Sequence, residues 1–190
     1  IKKNKLKGII NLPINKEAII KNIDNKFIGQ TEFYQKIDNK KVSNMIFIYR
    51  KLIITILTTH VKINNITKNL SKKDFIYNKI LNLNKILIDN LKINQPKIII
   101  SGINPHASEN GIFGNEEKNI LIPQIKKIKK KRINIHGPFS ADSMLNKMNL
   151  KNYNCFIFCY HDQALVAYKY ISKNRGINFT GGLSIIRVSP

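Results

Sequence analysis

The 190-residue chain has no tryptophan, only two cysteines and only 11 acidic residues. Aromatic residues make up 8% of it, which leaves little of the aromatic surface on which nucleic-acid bases stack. Two cysteines are too few for the disulfide framework of a small secreted domain. Cys155 and Cys159, in NCFIFCY, also lack CxxC spacing. We interpret both as partly buried thiols of a cytoplasmic protein.

Long apolar runs are missing as well. No segment approaches the ~20 apolar residues of a membrane span and no signal peptide is recognisable, so we expect no membrane partner. The dinucleotide-binding fingerprint GxGxxG does not occur. The first residue is not methionine and the chain stops abruptly after IIRVSP, which predicts a fragment of a longer protein.

Charge of one sign dominates the chain. Lysine and arginine number 33, and the formal net charge is +22. Such an excess is typical of proteins that neutralise nucleic-acid phosphates. Here the lysines are spread along the whole sequence among asparagine and isoleucine, and only KKIKKKR at 126–132 is a basic run. We interpret the charge as a compositional bias and expect no nucleic-acid partner.

Short apolar segments alternate with amphipathic ones, a pattern that predicts an α/β fold with a mostly parallel sheet flanked by helices. The expected strands include MIFIYR and KLIITILTT as a hairpin pair, KIIIS, CFIFCY and LSIIRV. In the clearest helix Ser71 is the expected N-cap, and the apolar face consists of Ile76, Ile80, Leu83, Leu87 and Leu91. FTGGLS is expected to supply flexible backbone near the site.

Three histidines follow three of the expected strands. His60 comes after IITILTT, His106 after KIIISGINP and His161 after CFIFCY. Ligands of open α/β sheets bind at the carboxyl ends of the strands, and neutral imidazole is a common ligand of divalent metals. The pattern therefore predicts a metal site, although three unrelated loop histidines would give the same spacing. His136 lacks a comparable strand before it, and we interpret it as structural.

Other polar residues near these strand ends could contribute to a site. Asp142 and Asp162 could serve as metal ligands, as partners of the ligands or as a base, although an aspartate at such a position is more commonly a helix N-cap. Lys169, Arg175 and Arg187 could bind a phosphate or a carboxylate.

Several segments together resemble the 4-hydroxythreonine-4-phosphate dehydrogenase family of the pyridoxal phosphate pathway. They are LTTHVKI, SGINPHASENGIFGNEE, HGPFSADS, CYHDQALVAYKY and RGINFTGGLSIIRVSP, preceded by LPINKEAI and GQTEF. The resemblance implies an isocitrate/isopropylmalate dehydrogenase-like fold, of which this chain is a fragment truncated at both ends. It also implies that residues 1–24 are a remnant of the N-terminal cofactor domain, 25–180 the central metal-binding and dimerisation domain, and 181–190 a return strand into the first domain.

The activity implied by the resemblance is oxidation of 4-phosphooxy-threonine by NAD or NADP. The product is a β-keto acid that loses carbon dioxide to give 3-amino-2-oxopropyl phosphate. A divalent metal (Zn, Mg or Co) would be held by His60, His106 and His161, in a site shared across a homodimer because His161 comes from the other subunit. The implied substrate contacts are Gln30, Thr31, Lys169, Asn178 and Arg187. The cofactor-binding residues remain unknown, and Asp142 is a weak candidate for the catalytic base.

One position departs from the family pattern. The family motif is usually Gly-His-Thr-Glu-Phe, whereas this chain reads GQTEF, with Gln30 in place of the histidine. Glutamine donates and accepts hydrogen bonds but carries no proton as an imidazolium does. Two alternatives therefore stay open: a dehydrogenase for a related phosphorylated sugar acid such as threonate or erythronate phosphate, or a non-catalytic, degenerate or basic binding protein.

Overall fold

The computed structural model describes residues 7–190, and within them eight strands form one sheet. The strands are Gly8–Ile10 (β1), Asn44–Tyr49 (β2), Leu52–Ile56 (β3), Ile98–Ser101 (β4), Ile135–Phe139 (β5), Cys155–Phe158 (β6), Ile177–Gly181 (β7) and Ile186–Ser189 (β8). The helices are Lys16–Asn22 (α1), Gln30–Ile37 (α2), Ile66–Leu70 (α3), Phe75–Asp89 (α4), Ile122–Lys129 (α5), Lys147–Asn152 (α6) and His161–Ser172 (α7).

The order of the strands is β1-β8-β7-β2-β3-β6-β4-β5. Neighbouring strands are parallel from β3 to β5 and between β1 and β8, whereas β8, β7, β2 and β3 are joined by antiparallel pairings. The predicted α/β class, with a mostly parallel sheet flanked by helices, is confirmed. So is the predicted hairpin, which β2 and β3 form.

Helices pack on both faces of the sheet and bury the apolar side chains that the central strands present on each side. One face packs against α4 and α5 through residues such as Ile80, Leu83 and Ile125. The other packs against α7 through residues such as Leu165 and Tyr168. Alternation along β6 places the buried thiols of Cys155 and Cys159 on the α4 face, as their spacing predicts.

Two local predictions are wrong. Helix α4 begins at Phe75, and Ser71 does not cap it; the Ser71 hydroxyl instead donates to the Thr67 carbonyl at 2.8 Å, closing α3. FTGGLS is not flexible backbone throughout, because Phe179, Thr180 and Gly181 belong to β7 and are buried between β2 and β8. Both errors come from polar or small residues whose tertiary partners are invisible in the sequence.

His136 lies inside β5, where its ring nitrogen Nε2 is 2.6 Å from the Asn134 side-chain oxygen. This position agrees with a structural role. Among the described residues, no helix combines the length and the apolar character needed to cross a membrane.

Candidate functional site

A cleft of about 290 Å³ opens beside the sheet, between α2 and the first turn of α7. It brings together residues from widely separated segments: Gln30 and Thr31 of α2, His60 after β3, His161 at the start of α7, Asn178 of β7 and Arg187 of β8. All six of these residues were expected as substrate or metal contacts, from motifs far apart in the sequence. The cleft is the candidate site.

His60 and His161, the histidine pair, meet because β3 and β6 are adjacent parallel strands whose carboxyl ends lie at one edge of the sheet. Their ring centroids are 5.9 Å apart. His161 Nδ1 lies 2.7 Å from Asp162 Oδ1, and His60 Nδ1 lies 3.5 Å from Glu32 Oε1. A carboxylate at Nδ1 favours the proton there and leaves Nε2 as the lone-pair nitrogen, which is the usual arrangement of a metal-bound histidine.

Glu32 is held firmly behind His60. The Thr59 hydroxyl donates to its Oε1 at 2.8 Å, and Gly29 leaves the space beside it, since a Cβ there would lie 2.8 Å from Glu32 Oε2 and 3.1 Å from the His60 ring. Burial alone would raise the pKa of Glu32, but hydrogen bonds from His60 and Thr59 lower it to about 2. The carboxylate therefore stays ionised at any pH at which the protein would work.

Besides the histidine pair, the cleft contains Arg187, which is only 1% exposed. Its Nε donates to Asn11 Oδ1 at 2.8 Å, one terminal nitrogen donates to Thr180 Oγ1 at 3.1 Å, and the other donates to Gln30 Oε1. The face of Tyr34 lies 5.9 Å from the guanidinium carbon. We call Asn11, Gln30, Thr180 and Arg187 the arginine cluster.

The charge of Arg187 is not neutralised directly. None of the carboxylates in residues 7–190 forms an ion pair with it, and burial lowers the pKa of its guanidinium. A guanidinium has five N–H donors, of which the cluster occupies three: Nε and one on each terminal nitrogen. One N–H on each terminal nitrogen therefore remains for another acceptor, such as a carboxylate or phosphate oxygen.

The remaining expected substrate residues lie close by. Thr31 is buried and its hydroxyl is 3.4 Å from that of Thr180. Asn178 borders both this cleft and a neighbouring one of about 310 Å³, which Lys169 lines. Its Oδ1 is buried and accepts no hydrogen bond from the described part of the chain. An unpaired buried acceptor is costly, so Asn178 is a plausible ligand contact between the two clefts.

His106 is not part of this cleft. It lies in the turn Pro105–Gly111, in which five successive residues from His106 to Asn110 have φ between 42° and 71°. Left-handed backbone is unfavourable for residues other than glycine. The buried Glu117 holds the base of this turn, accepting from the backbone nitrogens of Ile103 and Asn104 at 2.7 and 2.8 Å.

Asp142 lies near His106 rather than near the histidine pair. It is in a short turn, exposed, and accepts from the Ser140 hydroxyl at 2.5 Å, which lowers its pKa. Asp142 does not line the cleft, and neither does Arg175, which is exposed. In residues 7–190 no three His, Cys, Asp or Glu side chains come close enough to hold a metal together. Within residues 7–190, two histidines therefore meet in the cleft without a third candidate ligand beside them.

The contribution of His161 by the other subunit, which the resemblance implied, stays a prediction. Within one chain, His161 lies beside His60 and His106 is the separate one. The cause is the strand order, since β6 is inserted between β3 and β4. The pair forms at the β3–β6 junction, and the long turn carrying His106 leads away from it.

Sequence reasoning missed several residues of the site. Asn11 and Thr180 hold Arg187, and Glu32 and Glu117 hold the segments of two histidines. Glu32 could have been identified from the sequence, since it belongs to the quoted GQTEF motif. Asn11 and Thr180 gave no signal, because their role depends on how β1, β7 and β8 pair.

The family model described as "Pyridoxal phosphate biosynthetic protein PdxA" matches residues 1–190. A 4-hydroxythreonine-4-phosphate dehydrogenase of Wigglesworthia glossinidia brevipalpis is 38% identical over 96% of this chain and 54% of its own length. A protein of Oceanobacillus iheyensis, named provisionally as a D-threonate 4-phosphate dehydrogenase, is 35% identical over 97% of the chain and 55% of its own length.

Among solved structures, the 4-hydroxythreonine-4-phosphate dehydrogenase of Klebsiella pneumoniae superposes with a TM-score of 0.86 at 28% identity, covering 99% of this chain and 56% of that one. The chain thus spans about half the length of the relatives that it matches. The family match over the whole chain, the overall fold and the predicted motifs agree, and the chain belongs to the pyridoxal phosphate biosynthetic protein PdxA family.

Proposed function

We propose that this chain supplies the metal-binding and substrate-binding part of a dehydrogenase that oxidises 4-phosphooxy-threonine with NAD or NADP. The product is a β-keto acid, which decarboxylates to 3-amino-2-oxopropyl phosphate. One observation carries the proposal. A single cleft combines two histidines whose Nδ1 atoms face carboxylates with a buried arginine that has no carboxylate partner among residues 7–190.

The two centres suit two groups of such a substrate. His60 and His161 would hold a divalent metal (Zn, Mg or Co) through their Nε2 atoms, facing the substrate hydroxyl. The free donors of Arg187 would bind a phosphate or carboxylate oxygen pair, with Thr31, Asn178 and Lys169 around it. When bound, the metal supplies a Lewis acid for the hydroxyl and the nicotinamide supplies a hydride acceptor.

The chain's own residues orient the groups that would bind the metal and the anion. Glu32 and Asp162 would fix the rotation and the tautomer of the histidine pair, so that both Nε2 atoms face the metal. Thr180 and Asn11 fix the plane of the Arg187 guanidinium. An anion bound in that plane is held at one orientation, which places the neighbouring hydroxyl carbon reproducibly for hydride loss.

A homodimer would complete the metal shell. Because no three candidate ligands come together among residues 7–190, we propose that His60, His106 and His161 form one metal site that two subunits share. Asp142 lies near His106 and remains the candidate for the catalytic base.

A related substrate is a second candidate. The Oceanobacillus iheyensis relative is named for D-threonate 4-phosphate, and Gln30 occupies the position where the family usually has histidine. Threonate phosphate offers the same phosphate and hydroxyl groups but has a hydroxyl where 4-phosphooxy-threonine has an amino group. The two centres of the cleft would serve either compound.

The test is titration of the chain with 4-phosphooxy-threonine and with D-threonate 4-phosphate, each with and without Zn, Mg or Co. We expect metal-dependent binding, tighter for 4-phosphooxy-threonine, and reduction of NAD or NADP if this chain alone turns over. Tighter binding of D-threonate 4-phosphate would select the second candidate. Binding of neither compound in the presence of metal, together with salt-dependent DNA binding, would overturn both in favour of a basic binding protein.

A further inference from the structure

The side-chain amide of Gln30 is occupied at both ends by the protein itself. Its Oε1 accepts a hydrogen bond from a terminal nitrogen of Arg187, and its Nε2 donates to the Leu12 carbonyl at 3.3 Å. Arginine has only donors and a backbone carbonyl has only lone pairs. The two partners therefore fix which end of the amide is oxygen, and neither end faces the ligand as its main contact.

Gln30 adds a third point of attachment to the Arg187 guanidinium. Asn11 holds Nε and Thr180 holds one terminal nitrogen, and because the guanidinium is planar these two contacts define its plane. Among residues 7–190, Gln30 alone holds the second terminal nitrogen. This third contact limits the rocking motion that the other two leave to the guanidinium.

We infer that Gln30 is a positioning residue, which holds Arg187 in the orientation that binds a doubly oxygenated anion such as phosphate, rather than a residue that contacts the substrate directly. This inference rests on the proposed function of Arg187 as the anion anchor. It replaces the direct substrate contact that the resemblance implied for Gln30 with an indirect one.

A neutral amide suits this role better than an imidazole. Gln30 accepts from Arg187 and donates to Leu12 with one side chain and no charge. A neutral histidine could offer one acceptor and one donor, but an imidazolium has two donors and no acceptor. It would face the arginine with a like charge, whereas glutamine leaves the positive charge of Arg187 available to the ligand.

Sulfate is the probe, because it is a tetrahedral dianion throughout the neutral pH range. The first readout is its affinity for the 190-residue chain, measured by calorimetry at fixed ionic strength. The second is the side-chain NMR signal of Arg187, taken without sulfate. The chain has four arginines, at 50, 132, 175 and 187, so Arg187→Lys identifies the signal.

Two variants separate positioning from contact. Gln30→Met keeps the length but removes both hydrogen bonds; we expect faster rotation of the Arg187 guanidinium and about 10-fold weaker sulfate binding. Gln30→Glu keeps an acceptor for Arg187 but neutralises its charge; we expect the guanidinium to stay ordered while sulfate binding is lost. Gln35→Met, on the same helix but outside this cleft, is the matched control and should change neither readout.

The outcomes are distinguishable. Weaker sulfate binding in Gln30→Met with an unchanged Arg187 signal means that Gln30 contacts the anion directly and overturns the inference. Unchanged sulfate affinity and an unchanged signal in Gln30→Met also overturn it. If the wild-type chain does not bind sulfate, the anion-anchor function proposed for Arg187 fails, and the NMR comparison still decides whether Gln30 orders the guanidinium.

Discussion

The two halves of the sheet build their parts of the cleft in different ways. In the parallel half (β3, β6, β4 and β5) the central strands β3, β6 and β4 are mostly apolar on both faces, and the candidate histidines His60 and His161 come after strands end. In the antiparallel half (β8, β7 and β2) the candidate polar residues lie within the strands: Arg187 opposite Thr180, and Asn178 two residues earlier in β7.

The difference has a physical cause. A parallel sheet covered by helices on both faces has mostly apolar strands, in which small hydroxyls such as Thr55 and Ser101 are buried only with a hydrogen-bond partner, so larger polar and charged groups collect at the strand ends. The antiparallel half buries Arg187, Thr180 and Asn44 at 1%, 0% and 1% exposure. It tolerates them because they bond to one another and to neighbouring segments. The comparison predicts that metal and anion binding can be disrupted separately.

His60→Ala should have the largest effect, and it should weaken metal binding without weakening anion binding. Removing one of the two paired ligands should weaken metal affinity by more than about 100-fold, because the chain alone already offers an incomplete shell. Sulfate affinity should stay within about 2-fold, since the arginine cluster is untouched. Competition with a chromophoric chelator measures the metal affinity, and calorimetry measures the sulfate affinity. His136→Ala, outside the cleft, is the control, and equal metal affinity in both variants would contradict the assignment.

Arg187→Lys should give the opposite result. Lysine keeps the charge but cannot bond to Asn11, Thr180 and Gln30 together or present two parallel donors, so we expect sulfate affinity to fall about 30-fold. Metal affinity should not change. Arg175→Lys makes the same substitution at an exposed site and should leave sulfate binding intact. Loss of metal affinity in Arg187→Lys would show that the two halves are coupled.

Glu32→Gln probes the carboxylate behind His60. Without its charge His60 loses its bias towards the Nδ1 proton, and we expect metal affinity to fall about 10-fold. The circular dichroism spectrum should be unchanged. Glu17→Gln alters an exposed glutamate of α1 and serves as the control. No change in metal affinity would mean that the 3.5 Å contact does not orient the ring.

The smallest effect concerns Lys79, on the other side of Glu32, whose ammonium donates to the Ser43 carbonyl at 2.7 Å. Burial lowers the pKa of Lys79 to about 8, with Glu32 opposing. Between pH 8 and its ordinary value of 10.5, the unfolded chain binds more protons, so folding stability rises with pH. A shift from 10.5 to about 8 corresponds to about 2.5 kcal/mol between pH 7 and 10. Because the Lys79 side chain is partly exposed, solvent screening reduces this contribution, and relative to Lys79→Met the wild type should gain about 1 kcal/mol in unfolding free energy over that range. Denaturant titration at both pH values measures it, and a constant difference would refute the shift.

Much of the parallel half was predictable. Apolar runs located β3, β4 and β6, and the position of a histidine after each is visible in the sequence, so the edge at which His60 and His161 meet followed from general rules. The separation of His106 did not follow. It depends on the left-handed turn from 106 to 110 and on its clamp by Glu117, neither of which leaves a pattern of spacing.

In the antiparallel half, apolar runs predicted β2 and β8, but β7 and the polar site residues were not visible in the apolar pattern. Arg187, Asn178 and Thr31 were assigned because of the segments they belong to, and the periodicity of FTGGLS did not even reveal the strand β7. A buried polar residue within a strand looks like a break in the apolar pattern. Its partners, such as Asn11 for Arg187, lie at the far end of the chain.

The separation of Asn11 and Arg187 along the sequence determines when the arginine cluster can form. Asn11 and Arg187 are separated by 176 positions, so during synthesis they can meet only after β3, α4 and β4 have been made. Contacts of such long sequence separation form slowly. The arginine cluster would therefore form later in folding than the local contacts of the parallel half.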